Sequence, residues 1–168
     1  MTAPRNRLGQ TPTQTVGPYF AIGLAPDVVA LPLAAAATGE IAGPEVEGEP
    51  IVLEGRVLDG AGEPVADALI EAVQRAPDGS WGQGGSRGFR GFGRAATDAH
   101  GRYRFRTVRP GVASPEEVPG LWLIVQARGL LGPLVTRAHL ADDEAAARRD
   151  PVLAAVPAPR RATLLAHP

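Results

Sequence analysis

Arg102-Tyr-Arg-Phe-Arg-Thr-Val108 alternates arginine with aromatic or β-branched residues over seven positions. A period of two is the signature of a strand with one buried face. Tyr103, Phe105 and Thr107 point inward on this reading, and three arginines point to water. Asp98-Ala-His-Gly101 just before it reads as a hairpin turn. Arg94–Asp98 then supplies a short partner strand. Working outward, Ile51, Leu53, Gly55 and Val57 alternate with Val52, Glu54, Arg56 and Leu58, a second such strand. Asp59-Gly-Ala-Gly-Glu-Pro64 turns the chain. Val65–Arg75 contains a third strand, with Leu69, Glu71 and Val73 opposing Ile70, Ala72 and Gln74. Leu121–Ala127 is an apolar run of buried-strand length, and Pro133–Leu140 follows it. About six strands separated by Gly- and Pro-rich turns indicate an all-β sandwich. Helical pattern is confined to the end. Asp142-Asp-Glu144 places acids where a helix macrodipole favours them, Pro151 stops or restarts the helix, and Arg160–Ala166 adds a last turn.

The composition agrees with that class. Of 168 residues, 21 are Gly and 17 are Pro, which favours turns and short strands over long helices. The hydrophobic share of 44% is that of a folded domain. A net charge of −1 gives no global attraction for nucleic acid or an anionic membrane. There is no lysine, so every cationic side chain other than histidine is arginine. There is no cysteine, which removes disulfides, thiolate metal sites and cysteine nucleophiles together. Arg5 and Arg7 are not followed by an apolar run, so no secretory signal is expected. Val28–Ala37 is too short, and too interrupted by Pro32, to span a bilayer. A cytoplasmic protein is the expectation.

Two N-terminal segments precede the strands. Thr11-Pro-Thr-Gln-Thr-Val-Gly-Pro-Tyr-Phe-Ala-Ile-Gly-Leu24 is too apolar for a free tail and too broken by Pro12, Gly17 and Pro18 for a regular element. It reads as an extended arm that docks on a surface. Ala25–Pro50 carries little pattern and is expected to be ordered only in part. The chain thus divides into an arm and connecting loop (1–50) and a β-sandwich domain (51–168).

Candidate chemistry is sparse. Gly82–Gly93 lacks the Gly-Lys-Ser/Thr ending and following helix of a phosphate loop. One Arg-Gly-aromatic copy in a neutral chain is thin support for RNA binding, and a loop feeding Phe89 and Phe92 to the core suffices. His100, His139 and His167 fall on unrelated segments, as do the two tyrosines, Tyr19 and Tyr103, so no converging metal set is visible. Ser80, Ser86 and Ser114 sit at no nucleophile elbow. Arg137 lies in Leu134-Val-Thr-Arg-Ala-His-Leu140, opposite the apolar positions 134, 138 and 140. Its guanidinium either faces solvent or lines a cleft and takes a carboxylate.

Several of these stretches together resemble the intradiol ring-cleaving dioxygenases, and within them the alpha-type chains. They are the arm at 11–24, Gly55-Arg-Val-Leu-Asp-Gly60, Pro64–Glu71, Phe89-Arg-Gly-Phe-Gly-Arg94, Thr107-Val-Arg-Pro-Gly111, Ala127-Arg-Gly129, Thr136-Arg137, Asp150-Pro-Val-Leu153 and Arg160–Leu165. The resemblance implies a transthyretin-like (prealbumin-like) β-sandwich with an extended N-terminal arm and short C-terminal helices. It also implies oxidative opening of a catechol ring by O2 at an Fe(III) held by two tyrosines and two histidines. Val112 and Ala113 stand where a tyrosine is expected, Leu121–Ile124 replaces the His-X-His strand, and the loop due the other tyrosine has Trp81 and glycines. The resemblance therefore implies no catalytic or metal-ligating residue in this chain. It assigns the iron to a beta-type partner subunit in a hetero-oligomer of paired chains. It places Thr15, Gly17, Pro18, Tyr19 and Arg137 beside the substrate pocket. The competing readings are a sandwich module that binds a small ligand or a protein without catalysis, and a degenerate copy that no longer pairs. Leu121–Val125 and the arm are expected to leave an exposed apolar patch on an isolated chain.

Overall fold

A computed structural model of the chain describes residues 12, 14–17, 20–26, 37–82, 88–140 and 144–167. Asp142 and Asp143, expected to open a helix, lie outside them, as do Pro18 and Tyr19. Strand β1 (Pro50–Arg56) pairs antiparallel with β4 (Arg102–Val108) in a two-stranded sheet. Strands β2 (Leu69–Val73), β3 (Phe92–Ala96), β5 (Gly120–Gln126) and β6 (Leu134–His139) form a second sheet in the order β3-β2-β5-β6. A one-turn helix α1 (Phe20–Leu24) belongs to the arm. Helices α2 (Glu144–Arg149), α3 (Pro151–Ala155) and α4 (Ala158–Arg161) close the chain with a 3-10 turn at Ala162–Leu164. No helix among the described residues is long and apolar enough to cross a membrane.

The alternation sets the packing. Leu53 sits opposite Phe105 in the first sheet, and both are buried. Across the core lie Ile70, Ala72, Leu121 and Leu123 of the second sheet. The other face of the first sheet is a solvated charge ladder. Glu54 and Arg104, directly opposite, pair at 3.1 Å with both side chains exposed, a geometry that contributes under about 1 kcal/mol. One polar clasp joins the sheets inside, and a second fastens the end of β3 to the segment that leads into β2. Gln74 donates to the Val108 carbonyl at 3.0 Å and accepts from Thr107 Oγ1 at 2.8 Å, all three residues being buried. Thr97 Oγ1 accepts from Ala68 N at 3.0 Å and donates to the Val65 carbonyl at 2.7 Å. Buried polar groups satisfied in this way fix register as well as adding stability.

Residues 37–50 differ from the sequence expectation of partial order. Ile41, Ala42 and Val46 are buried members of the core. The backbone runs between the two sheets and bonds to both. Ile41 N donates to Arg106 O at 2.9 Å, and Arg106 N to Gly39 O at 2.8 Å. On the other side Arg94 N donates to Thr38 O and Arg90 N to Ile41 O, each at 2.9 Å. Two glycines permit the approach. A Cβ on Gly39 would stand 2.6 Å from Arg104 O, and one on Gly93 2.5 Å from Ile41 Cγ1. The expected exposed patch at Leu121–Val125 is also corrected. Leu121 and Leu123 are buried and the rest of the run is half-buried, because β5 is an inner strand flanked by β2 and β6. Among the described residues the most exposed large apolar side chains are instead Leu131, Leu134 and Val135, at the β5–β6 turn and on the edge strand.

If residues 38–43 hold the sheets together, Ile41→Ala costs about 2–5 kcal/mol, the range for a buried aliphatic truncation. Leu58→Ala, at a position 48% exposed, costs under about 1 kcal/mol. Urea denaturation of both variants checks this, and a small loss at Ile41 would remove the segment from the core.

Candidate functional site

Among the described residues, two hydrogen bonds tie the arm to the sandwich. Thr15 Oγ1 accepts from Gly129 N at 3.0 Å, in the turn between β5 and β6. The carbonyl of Leu24 accepts from Arg94 Nη1 at 3.4 Å. Arg94 is itself oriented by Glu71, its cross-strand neighbour, through bonds of 3.0 and 2.5 Å. Gly17 is exposed, with open space around its backbone. Pro18 and Tyr19 are outside the described residues.

Arg137 takes neither of the two courses its strand pattern left open in pure form. It pairs with Trp122 across β5 and β6, and its guanidinium lies 5.3 Å from that ring's centroid. Nη2 donates to the Val118 carbonyl at 2.8 Å. Gly120, one strand over, leaves the space, since a Cβ there would meet Nε at 3.0 Å. The side chain is half-buried and fixed in direction, and Nε has no hydrogen-bond partner among the described residues. Thr15 and Arg137 therefore lie at opposite ends of the β5–β6 hairpin, and the structure does not bring them together.

Beside Arg137 sits a buried pair that the sequence reading passed over. His139 Nε2 is 3.6 Å from Asp150 Oδ1, and neither side chain is accessible to solvent. Asp150 caps α3: Oδ1 accepts from Val152 N at 2.9 Å and Leu153 N at 3.0 Å, and Oδ2 from Val118 N at 2.8 Å. The motif Asp150-Pro151 carried the signal, because an Asp before Pro at the first helical position is a helix start. Burial works to raise the Asp150 carboxyl, but the amides of Val118 and Leu153, with the charges of His139 and Arg137, bring it below the usual carboxylate range. Burial, and then the Arg137 charge, push the His139 pKa below that of a free imidazole. The Leu165 segment bridges His139, and Ala166 N donates to the His139 carbonyl at 2.9 Å. This node pins the C-terminal helices to the open end of the sheet.

An iron site finds no fit among these residues. No group of three or more His, Asp or Glu side chains among the described residues could hold a metal ion. The Asp150 carboxylate is already engaged by three amides. His100 lies exposed in a turn, and its backbone takes part in the Asp98 turn. Tyr103 is a core-facing ring 5.9 Å from Phe105.

The family model described as Dioxygenase matches residues 17–119. The protocatechuate 3,4-dioxygenase alpha chain of Burkholderia cepacia is 44% identical over 167 residues, covering 95% of this chain and 84% of that one. The beta chain of the same enzyme and organism is 40% identical over 82 residues, 45% of this chain and 35% of its own. Among solved structures, hydroxyquinol 1,2-dioxygenase of Pseudomonas putida DLL-E4 superposes with a TM-score of 0.57 at 22% identity, covering 86% of this chain and 54% of that one. This last likeness concerns the fold.

The buried pair fixes a pH dependence. A histidine whose folded pKa is depressed stabilises the fold above its unfolded value of about 6.5 and loses that contribution as pH falls below it. Asp150, also depressed, loses its contribution at more acid pH, below about 3.8. Thermal melts are therefore expected to drop between about pH 7 and pH 5. The drop should shrink in His139→Phe, and a slope that survives the substitution would assign the effect elsewhere. Asp150→Ala, which orphans the cap and the Val118 amide, is expected to cost about 2–4 kcal/mol.

Proposed function

The chain belongs to the intradiol ring-cleaving dioxygenase family, and on that premise we propose that it is the alpha-type subunit of a protocatechuate 3,4-dioxygenase. It would pair with a beta-type subunit in a cytoplasmic hetero-oligomer and support the opening of protocatechuate by O2 to 3-carboxy-cis,cis-muconate. The observation that carries this reading is the extent of the two similarities. Likeness to the alpha chain runs over 95% of this chain, whereas likeness to the beta chain is confined to 45% of it. The residues described here offer no ligand set for Fe(III), so the iron is assigned to the beta partner.

The role of this chain is then to bind and position. Thr15 anchors the arm on the Gly129 amide, and with Gly17, Pro18 and Tyr19 it is assigned to the wall of the partner's substrate pocket. Arg137 is pre-oriented by Trp122 and the Val118 carbonyl. With one N–H committed to Val118, it offers its positive charge to the substrate carboxylate. A guanidinium held on an aromatic face loses less side-chain freedom on binding than a free one.

Two measurements test this. Metal analysis of the chain produced alone is expected to find no bound iron, with iron and ring cleavage appearing on co-production with the beta-type partner. Stoichiometric iron on the lone chain would overturn the assignment. In the complex, Arg137→Gln is expected to raise KM for a carboxylated catechol about tenfold or more while barely moving that for plain catechol. Equal effects on the two substrates would remove Arg137 from carboxylate recognition.

A further inference from the structure

Val118 stands just before β5, outside the strand ladder, yet it is buried. A buried peptide group outside a ladder needs partners of its own. The Val118 amide donates to Asp150 Oδ2 at 2.8 Å, and its carbonyl accepts from Arg137 Nη2 at 2.8 Å. Pro119 has no amide to offer, and its carbonyl accepts from Leu140 N at 2.8 Å. Gly120 then enters register with His139. Each main-chain polar group of Val118 and Pro119 is thereby engaged by β6, α3 or the residues that flank them.

This clamp sets the direction of Arg137. The Trp122 ring, 5.3 Å from the guanidinium, and the bare backbone of Gly120 define a slot for the side chain. Neither contact is strongly directional, so a planar guanidinium could still turn within the slot. The hydrogen bond to the Val118 carbonyl is directional and selects one orientation. That carbonyl moves only if the backbone turns at Val118. The following proline restricts one of the two backbone angles there, and the bond from the Val118 amide to Asp150 holds the other side.

Capping α3 does not by itself require an aspartate. Oδ1 alone accepts from Val152 N and Leu153 N, and a serine or threonine hydroxyl caps a helix in the same way. What the carboxylate adds is a second acceptor, and that oxygen is turned to Val118. Its charge works the other way. The Asp150 and Arg137 charges act on one another, so by electrostatics alone Asp150 weakens the pull of Arg137 on an anionic substrate. Positioning and charge therefore predict opposite results when the carboxylate is removed.

We propose that Asp150 is a positioning residue for carboxylate recognition: by holding Val118 it keeps the Arg137 guanidinium in the one orientation that meets the substrate. The proposal rests on the reading of Arg137 as the group that takes the substrate carboxylate. Asp150 touches neither substrate nor iron and acts through the chain, because it holds the amide of the residue whose carbonyl holds the guanidinium. A fork aimed in advance matches two carboxylate oxygens, which a turning one does not.

The test uses the full chain assembled with its beta-type partner. Asp150→Ser keeps a hydroxyl to cap α3 and has no second oxygen for Val118. It is expected to raise KM for a carboxylated catechol about threefold or more above any change for plain catechol, the scale of one hydrogen bond to a charged group. Asp150→Thr has the same chemistry and is the second variant if the serine chain folds poorly. In an Arg137→Gln background the substitution should add nothing to the ratio of the two KM values. Leu153→Ala loosens α3 by removing a buried side chain and keeps the Asp150 carboxylate, so it should lower the melting temperature without separating the substrates. The chain has two tryptophans, and the NMR resonance of the Trp122 indole N–H in the full chain should move in Asp150→Ser toward its position in Arg137→Gln. A fall in KM for the carboxylated catechol, the same separation of substrates in Leu153→Ala, or an indole resonance that ignores Asp150→Ser would each overturn the role of Asp150. Substrates separated by Arg137→Gln but not by Asp150→Ser would overturn this proposal alone. Equal effects of Arg137→Gln on both substrates would overturn the carboxylate reading beneath it as well.

Discussion

The stitching of two sheets by a single extended segment, residues 38–43, is the constraint on which the architecture rests. A two-stranded sheet is marginal by itself. Here β1 and β4 gain stability because the Ile41 amide and the Gly39 carbonyl pair with Arg106, while Thr38 and Ile41 carbonyls satisfy amides of Arg94 and Arg90. One segment thus caps an edge of each sheet, which also protects those edges from pairing with other chains. The geometry demands contact closer than a side chain permits, so Gly39 and Gly93 are required rather than incidental. With this edge sewn, Ile41 enters a core that already holds Phe105 and Leu53.

The same stitching explains the asymmetry between the two ends of the sandwich. At one end it draws Ala37–Gly39 beside Tyr103 and Arg94, producing a cavity instead of a filled corner. At the other end β5 and β6 run on to Gly120 and His139, where Asp150 anchors the C-terminal helices by hydrogen bonds from Val118, Val152 and Leu153. Edge strand β6 remains open, with Leu134 and Val135 exposed. Those side chains and the turn that holds Thr15 lie on the same hairpin.

The strands were legible because alternation is a local property. Arg102–Val108 and Ile51–Arg56 announce their faces, and the turns between them carry Asp, Gly and Pro in order. β3 begins two residues earlier than Arg94, because Phe92 and Gly93 already pair with Val73 and Ala72. Residues 37–50 were opaque for a physical reason. Their hydrogen-bond partners lie some fifty to seventy positions away, at Arg90, Arg94 and Arg106, and Gly- and Pro-rich sequence has no period to betray an edge role. Leu121–Val125 read as an exposed patch because an unbroken apolar run looks the same whether it faces a core on one side or packs between neighbouring strands. Asp150 carried a local cap signal, but its union with His139 and Val118 depends on how β6 meets α3.

Resemblance groups the arm residues and Arg137 as one pocket wall, and in the structure Thr15 and Arg137 are held at opposite ends of the β5–β6 hairpin. Three strand steps separate Arg137 from Leu134, roughly 10 Å at the strand rise, and Gly129 lies beyond the turn. A single catechol ring does not span that distance. Thr15 cannot both hold the Gly129 amide and touch a carboxylate at Arg137. Its hydroxyl anchors the arm on the β5–β6 turn. Arg137 is fixed in direction near the other end of the hairpin by Trp122 and the Val118 carbonyl. The separation follows from the hairpin itself, because Thr15 is held at the β5–β6 turn while Arg137 lies three residues into the six-residue strand β6.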